Sequence, residues 1–279
     1  MREKKKDNKS KKEENSGLLK AAVLGGGGAI GLNYLGRKLG LHVSKGIFEK
    51  AGMQSIAEED EFLKRVTPKD IAISRGRSKG VEDIGPNAIE SSRFEEKFGK
   101  ELSDKLKSKG KKAAVEISWG KDAVKNGRGM ISSTAHELGH AEHLVGRGSK
   151  LGRFAHKAWK YMPEYRTAGA LGGIVAGSAL SEDNPGLAAG IGAATGIASS
   201  LPEILSERAA NKEGLKFLEK AGIGKEYVGR VKGYYRNQLG GRMLQKTLPA
   251  AGVGLAAGYI TSRLKKHIKN KKKRNTEDE

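Results

Sequence analysis

The run Thr134-Ala135-His136-Glu137-Leu138-Gly139-His140-Ala141-Glu142-His143 is the densest part of the chain in groups that can do chemistry. On an α-helix, residues four apart lie on one face a single turn apart, so His136 and His140 can present two imidazole nitrogens to one Zn2+. Glu137 is turned about 100° from His136, where it can act on water at the metal without ligating it. This H-E-x-x-H spacing predicts metal-assisted hydrolysis, with Glu137 as general base. His143 lies about 10 Å along the helix axis from His136, and no glycine turn bends the chain back, so it is expected beside the ligands or in solvent. The chain has six His and no Cys, which excludes disulfides, thiolate zinc sites, iron-sulfur clusters and cysteine nucleophiles.

A catalytic zinc needs a third protein ligand and an open fourth position. The next carboxylates after a Gly/Ala-rich stretch are Glu203 and Glu207, on a helix expected to begin with Pro202 near its first turn. Both are candidates. Ala210 is small enough to let a 203–220 helix lie close against a 131–145 helix, which favours Glu207. Glu203, one turn earlier, suits the helix N-terminus electrostatically.

The order of H-E-x-x-H, an apolar hairpin, and then Glu207-Arg208-Ala209-Ala210-Asn211 resembles the integral-membrane zinc peptidases that include the HtpX protease and the CAAX prenyl endopeptidases. The resemblance covers roughly residues 112–224. It implies a gluzincin-type site in which His136, His140 and Glu207 bind zinc and Glu137 is the general base. Asn211 stands where that family has Asp, as a hydrogen-bonding neighbour of a ligand. The family's later His-Pro motif is missing, because only His156 and His267 follow His143. An oxyanion stabiliser is therefore sought among Tyr234, Tyr235 and Arg236.

The elements that must position these residues read as a mainly α fold with a small β element. A zincin-like catalytic helix pair is joined by a Gly/Ala-rich apolar helical hairpin. The expected organisation begins with a disordered basic arm over 1–16, a Gly-rich apolar helix over 17–40 and a helical and loop region over 41–110. A peptidase-like core follows over 111–245 and includes the apolar hairpin 167–202. A Gly/Ala-rich apolar helix over 246–262 and a basic tail over 263–279 complete the chain. Within these regions, 41–66 reads as helix, 67–90 as loop because of Pro68, Pro86 and several Gly, and 91–109 as an exposed helix. Residues 112–119 suit a strand able to pair with an extended substrate. The active-site helix is expected to start near Ser132 to Thr134, capped by Ser132 or Ser133. Residues 150–162 read either as an interfacial amphipathic helix or as an ordinary half-buried one.

Glycine reaches 40 of 279 residues and aromatics only 5%, which argues against a large aromatic-rich core. Small residues recur at three- and four-residue spacing, as in Gly172/Gly173 to Ala176/Gly177, the pattern of close helix packing. Most of these stretches fall short of the roughly 20 apolar residues that a span requires. The hairpin therefore reads either as membrane-inserted or as buried in a soluble core. No cleavable leader is expected.

The net charge is +21, with eight basic against four acidic residues in 1–20 and eight against three in 263–279. Such a chain is expected to meet an anionic membrane surface, or nucleic acid through its arms. Together these features predict a membrane-associated, zinc-dependent metalloendopeptidase acting on a protein or peptide substrate, with its basic arms on the cytoplasmic side. The rival is a non-enzymatic glycine-zipper basic protein that inserts in membranes or packs with nucleic acid in a particle such as a phage virion.

Overall fold

The computed structural model describes residues 55–75, 86–119, 130–161, 165–180 and 184–277. The expected arm 1–16 and helix 17–40 lie outside these residues. Described elements are α1 (Ile56–Val66), β1 (Ile71–Arg75), β2 (Asn87–Glu90), a 3-10 turn (Ser91–Arg93), α2 (Phe94–Phe98), α3 (Lys100–Ser108) and β3 (Ala113–Ile117), followed by α4 (Met130–Leu144), α5 (Lys150–Tyr161), α6 (Tyr165–Ala179), α7 (Pro185–Lys220) and α8 (Lys225–Glu277). The fold is mainly helical with a three-stranded sheet, and the described residues form two compact units. One unit takes the described residues from 55 to 161 together with Pro202–Gly240; the other takes those from 165 to Leu201 and from Gly241 onward. The described residues from 165 to Leu201 group with the last helix segment from Gly241 onward, and Pro202–Gly240 groups with the H-E-x-x-H helix.

In the first unit, α1 begins at a capping box in which Ser55 Oγ accepts from the Glu58 amide and the Glu58 carboxylate accepts from the Ser55 amide. The sheet runs β1-β3-β2, with β1 parallel to β3 (Ile71↔Ala113) and β2 antiparallel to it (Ala88↔Val115). Central strands are covered on both faces and read as apolar runs, and β3 buries Ala113, Ala114, Val115 and Ile117. Alternation sends Ala113, Val115 and Ile117 into a core with Phe62, Leu138 and Leu218, while Ala114 faces Ile89 and Phe94.

Several expectations are corrected here. Residues 67–90 contain β1 and β2; Pro68, Pro86 and the glycines obscured two short strands whose common pairing partner, β3, lies about 40 residues from the first and about 25 from the second. Since β3 has a neighbour on each side, it offers no free edge to a substrate, and the edges belong to β1 and β2. The exposed helix over 91–109 breaks at Gly99, whose φ of 80° no helix tolerates. Pro202 starts nothing, because α7 runs through it from Pro185. The α4 helix begins at Met130, so Ser132 and Thr134 are buried inside it and cap nothing.

The buried carboxylate of Glu59 fixes α4 against α1 and the sheet. It accepts from Thr134 Oγ1 on α4, from Trp119 Nε1 at 3.1 Å, and from Arg75 Nη1 at 2.9 Å. Four polar groups are satisfied at one point.

In the second unit, α6, the first part of α7 and the last part of α8 meet almost backbone to backbone. A Cβ on Gly192 would overlap the Gly254 carbonyl, one on Gly254 the Gly192 carbonyl, and one on Gly173 again the Gly254 carbonyl. These contacts offset the roughly 1 kcal/mol that each interior Gly costs relative to Ala in a helix. Among the described residues, no helix is long and apolar enough to cross a membrane.

Glu59→Ala strands the Trp119 and Thr134 donors and removes one of the two carboxylates paired with Arg75, and is expected to cost about 3 kcal/mol in chemical denaturation. Glu59→Gln keeps one acceptor oxygen and should cost clearly less. Equal losses for the two variants would show that the site needs the whole carboxylate, since Gln preserves its volume and one of its oxygens.

Candidate metal centre

The α4 helix ends at Gly146, whose φ of 84° lets Arg147 N–H bond to the Glu142 carbonyl and Gly146 N–H to the His143 carbonyl. Arg147 also grips Glu142 and Asp70, holding this end of α4 near the start of β1. At the opposite end, buried Tyr235 donates from its hydroxyl to the Ser132 carbonyl at 2.5 Å. Burial, then the nearby Tyr234, push this phenol well above its ordinary pKa, so it stays a donor.

Between these anchors α7 crosses α4 at two places. A Cβ on Gly139 would overlap the Ala210 carbonyl, and one on Gly214 would stand 2.9 Å from the Ala135 carbonyl. Small residues four apart on each helix, Ala135 with Gly139 and Ala210 with Gly214, let the backbones touch. Glu207, one turn before Ala210, is thereby carried to the two histidines.

His136, His140 and Glu207 are all buried, and their ligand atoms lie within 4.8 Å of one another. Glu207 Oε2 is 3.2 Å from His136 Nε2, and Glu207 Oε1 is 3.6 Å from His140 Nε2. The two imidazoles meet edge to face with centroids 4.7 Å apart. Asn211 Oδ1 lies 2.8 Å from His136 Nδ1 and accepts its proton, which leaves the Nε2 lone pair aimed into the group. Such a cluster can hold a metal ion, and it is the only one of its kind among the described residues. Glu203 is also buried on α7 but does not join it.

Glu137 stands at the flank, with Oε1 3.8 Å from His136 Nε2 and Oε2 accepting from the Ala88 amide of β2 at 3.0 Å. In an antiparallel pair, alternate residues turn their backbone groups outward. The Ser91 amide bonds to the Lys112 carbonyl on the β3 side, and Ala88 bonds outward to Glu137. Among the described residues β2 is an edge strand, and its outer edge borders Glu137.

The remaining sequence candidates fall elsewhere. His143 is buried against Gly148 and Gly152, where any Cβ would collide with its ring. Burial, then the neighbouring His140, lower its pKa to about 4. Tyr234 is buried in the core, the Tyr235 hydroxyl is committed to Ser132, and Arg236 is exposed on a groove. Sequence reasoning passed over His156, which lies on α5 with its ring 5.9 Å from that of His140 and Nδ1 3.3 Å from Ser206 Oγ. Burial, then His140, lower its pKa too. It also passed over Ala88, Glu59 and Gly139. Nothing local marks the first two; the small residue inside the H-E-x-x-H turn was the available sign of the third. No protein-family model, curated protein or solved structure matches the chain.

Gly139→Ala forces α7 away from α4 and should lower metal affinity about 10- to 100-fold while leaving the helical circular dichroism intact. Unchanged affinity in a competition titration would show that Glu207 reaches the metal without the close crossing. His143 gives a pH signature. Its folded pKa of about 4 lies below the ordinary 6.5, so the unfolded chain takes up its proton first. Its contribution is complete above pH 6.5 and is lost as pH falls toward 4. Urea denaturation of the chelator-treated protein should show this decline, and His143→Leu should flatten it.

Proposed function

We propose that the protein is a zinc-dependent endopeptidase of the zincin-like kind, related to the HtpX and CAAX membrane peptidases whose motif order it shares. The observation that carries this reading is one buried arrangement: two imidazoles and a carboxylate converge, with Glu137 between them and an open strand edge. Donors bound about 2.0 to 2.1 Å from one tetrahedral zinc stand about 3.3 Å apart, which matches the 3.2 and 3.6 Å separations. Two nitrogens and one carboxylate, with no thiolate, suit zinc with an open position. Bound there, zinc would supply Lewis acidity toward a peptide carbonyl and toward water.

The chain's own residues supply the rest. Asn211 orients His136 by accepting its Nδ1 proton. Glu137 accepts the Ala88 amide at Oε2, which leaves Oε1, the oxygen nearer His136, to take a proton from water and return it to the departing amine. The outward-facing Ala88 carbonyl and the backbone groups of Glu90 would offer an extended peptide a strand to pair with, a role this reading moves from 112–119 to β2. Membrane association belongs to the same proposal. It is supported by the net charge of +21 and by exposed apolar side chains at Leu151, Phe154 and Trp159 on α5 and at Leu171, Ile174 and Val175 on α6.

Elemental analysis of dialysed protein should find about one zinc per chain. Glu137→Gln should keep the metal and lose peptide hydrolysis, whereas His140→Ala should lose both. Wild type that takes up no zinc at micromolar concentration sinks the enzyme reading. A Glu137→Gln variant as empty as His140→Ala would make Glu137 a ligand and remove the base.

A further inference from the structure

A groove of about 540 Å3 runs between the Pro202–Gly240 parts of α7 and α8. Each wall repeats one pattern at i, i+4 and i+7. On α7 it is Arg208, Lys212 and Leu215; on α8 it is Lys232, Arg236 and Leu239. All four cations are exposed, no acidic residue lines the groove, and none of the four has a hydrogen bond or ion pair among the described residues. Four like charges gathered without counter-charge repel one another and gain only when an anion arrives. On the open side, a Cβ at Gly229 or Gly233 would meet nothing within 4 Å.

The groove adjoins the metal centre. Asn211, which holds His136, also lines it, as does Tyr235, whose ring lies 5.8 Å from that of His136. The Arg208 stripe is about a quarter turn round α7 from Glu207. Residues flanking a peptide bond held at the His136-His140-Glu207 group therefore come within reach of these cations.

We infer that this groove binds an acidic stretch of the peptide substrate, two or more carboxylates with apolar side chains between them, a reading that rests on the peptidase assignment. Spacing supports a peptide over a single compact anion. Cations four residues apart on a helix stand about 6 Å apart along the axis, and alternate side chains of an extended peptide stand about 6.6 to 6.8 Å apart. A chain carrying Glu at every second position can meet both cations of one wall at once. The guanidinium groups of Arg208 and Arg236 suit carboxylates bidentately, and Leu215 and Leu239 add apolar surface at the end of each cationic row.

The test uses full-length, zinc-loaded Glu137→Gln protein, so that binding is read without cleavage. Fluorescence anisotropy with a labelled peptide of alternating Glu and Leu, and with its Gln counterpart, should show roughly tenfold tighter binding of the acidic peptide at physiological salt. Lys212→Glu with Lys232→Glu should abolish the difference while zinc content stays unchanged. Lys97→Glu with Lys105→Glu, the same change of net charge on α2 and α3, should preserve it. Equal binding of the two peptides, or equal loss in both charge-reversed proteins, overturns the proposal. So does an outcome in which only phosphatidylserine vesicles, and not the acidic peptide, lose binding on reversal, since the groove would then be a lipid site. Zinc-loaded wild type that binds the acidic peptide through these cations but cleaves nothing supports the groove and tells against the peptidase reading alone. Cleavage indifferent to acidic residues does the reverse.

Discussion

The candidate centre depends on the contact of α4 with α7 at Gly139 and Ala210, repeated one turn away at Ala135 and Gly214. A Glu207 carboxylate meets the two histidines here because its helix approaches theirs until backbone touches backbone. Glycine and alanine at these positions remove the side chains that would hold the helices apart. Glu207, Asn211 and the two histidines are then neighbours as a consequence of backbone geometry. Leu138, Phe217 and Leu218 bury the surface that makes the approach favourable.

Closeness alone leaves α4 free to slide or rotate by a fraction of a turn, and buried polar groups restrict both. The Glu59 carboxylate takes Thr134, the Tyr235 hydroxyl takes the Ser132 carbonyl, and Arg147 ties the far end to Asp70. Each would leave an unpaired polar group if α4 moved, a penalty of about 1 to 3 kcal/mol apiece. Glu137 is aimed by the same logic. Its helix is fixed by these anchors and its carboxylate by the Ala88 amide, so that carboxylate and the edge of β2 are set relative to each other.

Glycine serves two purposes in this chain. At Gly146 and Gly222, with φ of 84° and 74°, it closes the two helices of the centre by adopting a conformation that side chains resist. At Gly173, Gly192 and Gly254 it sits inside helices and admits another backbone. The second use explains how segments with poor helix propensity form long helices.

What the sequence determined by itself follows from local geometry. Residues four apart share a helix face, so His136 and His140 were legible as a metal-binding pair and Glu137 as their flank. The apolar run of β3 and the amphipathic α5 were legible from their own periods. Tertiary structure decided everything that depended on the rotation or pairing of distant segments. Glu203 and Glu207 differ by one turn of one helix, and only the seating of Ala210 on Gly139 selects the second. β1 and β2 are short runs among prolines and glycines that become strands because β3 completes their hydrogen bonds. Glu59 reads as a surface acid of an amphipathic helix until its donors arrive from 16, 60 and 75 residues away. Such partners carry no signature in the residues around them, because the free energy that selects them is released only when the chain has closed on itself.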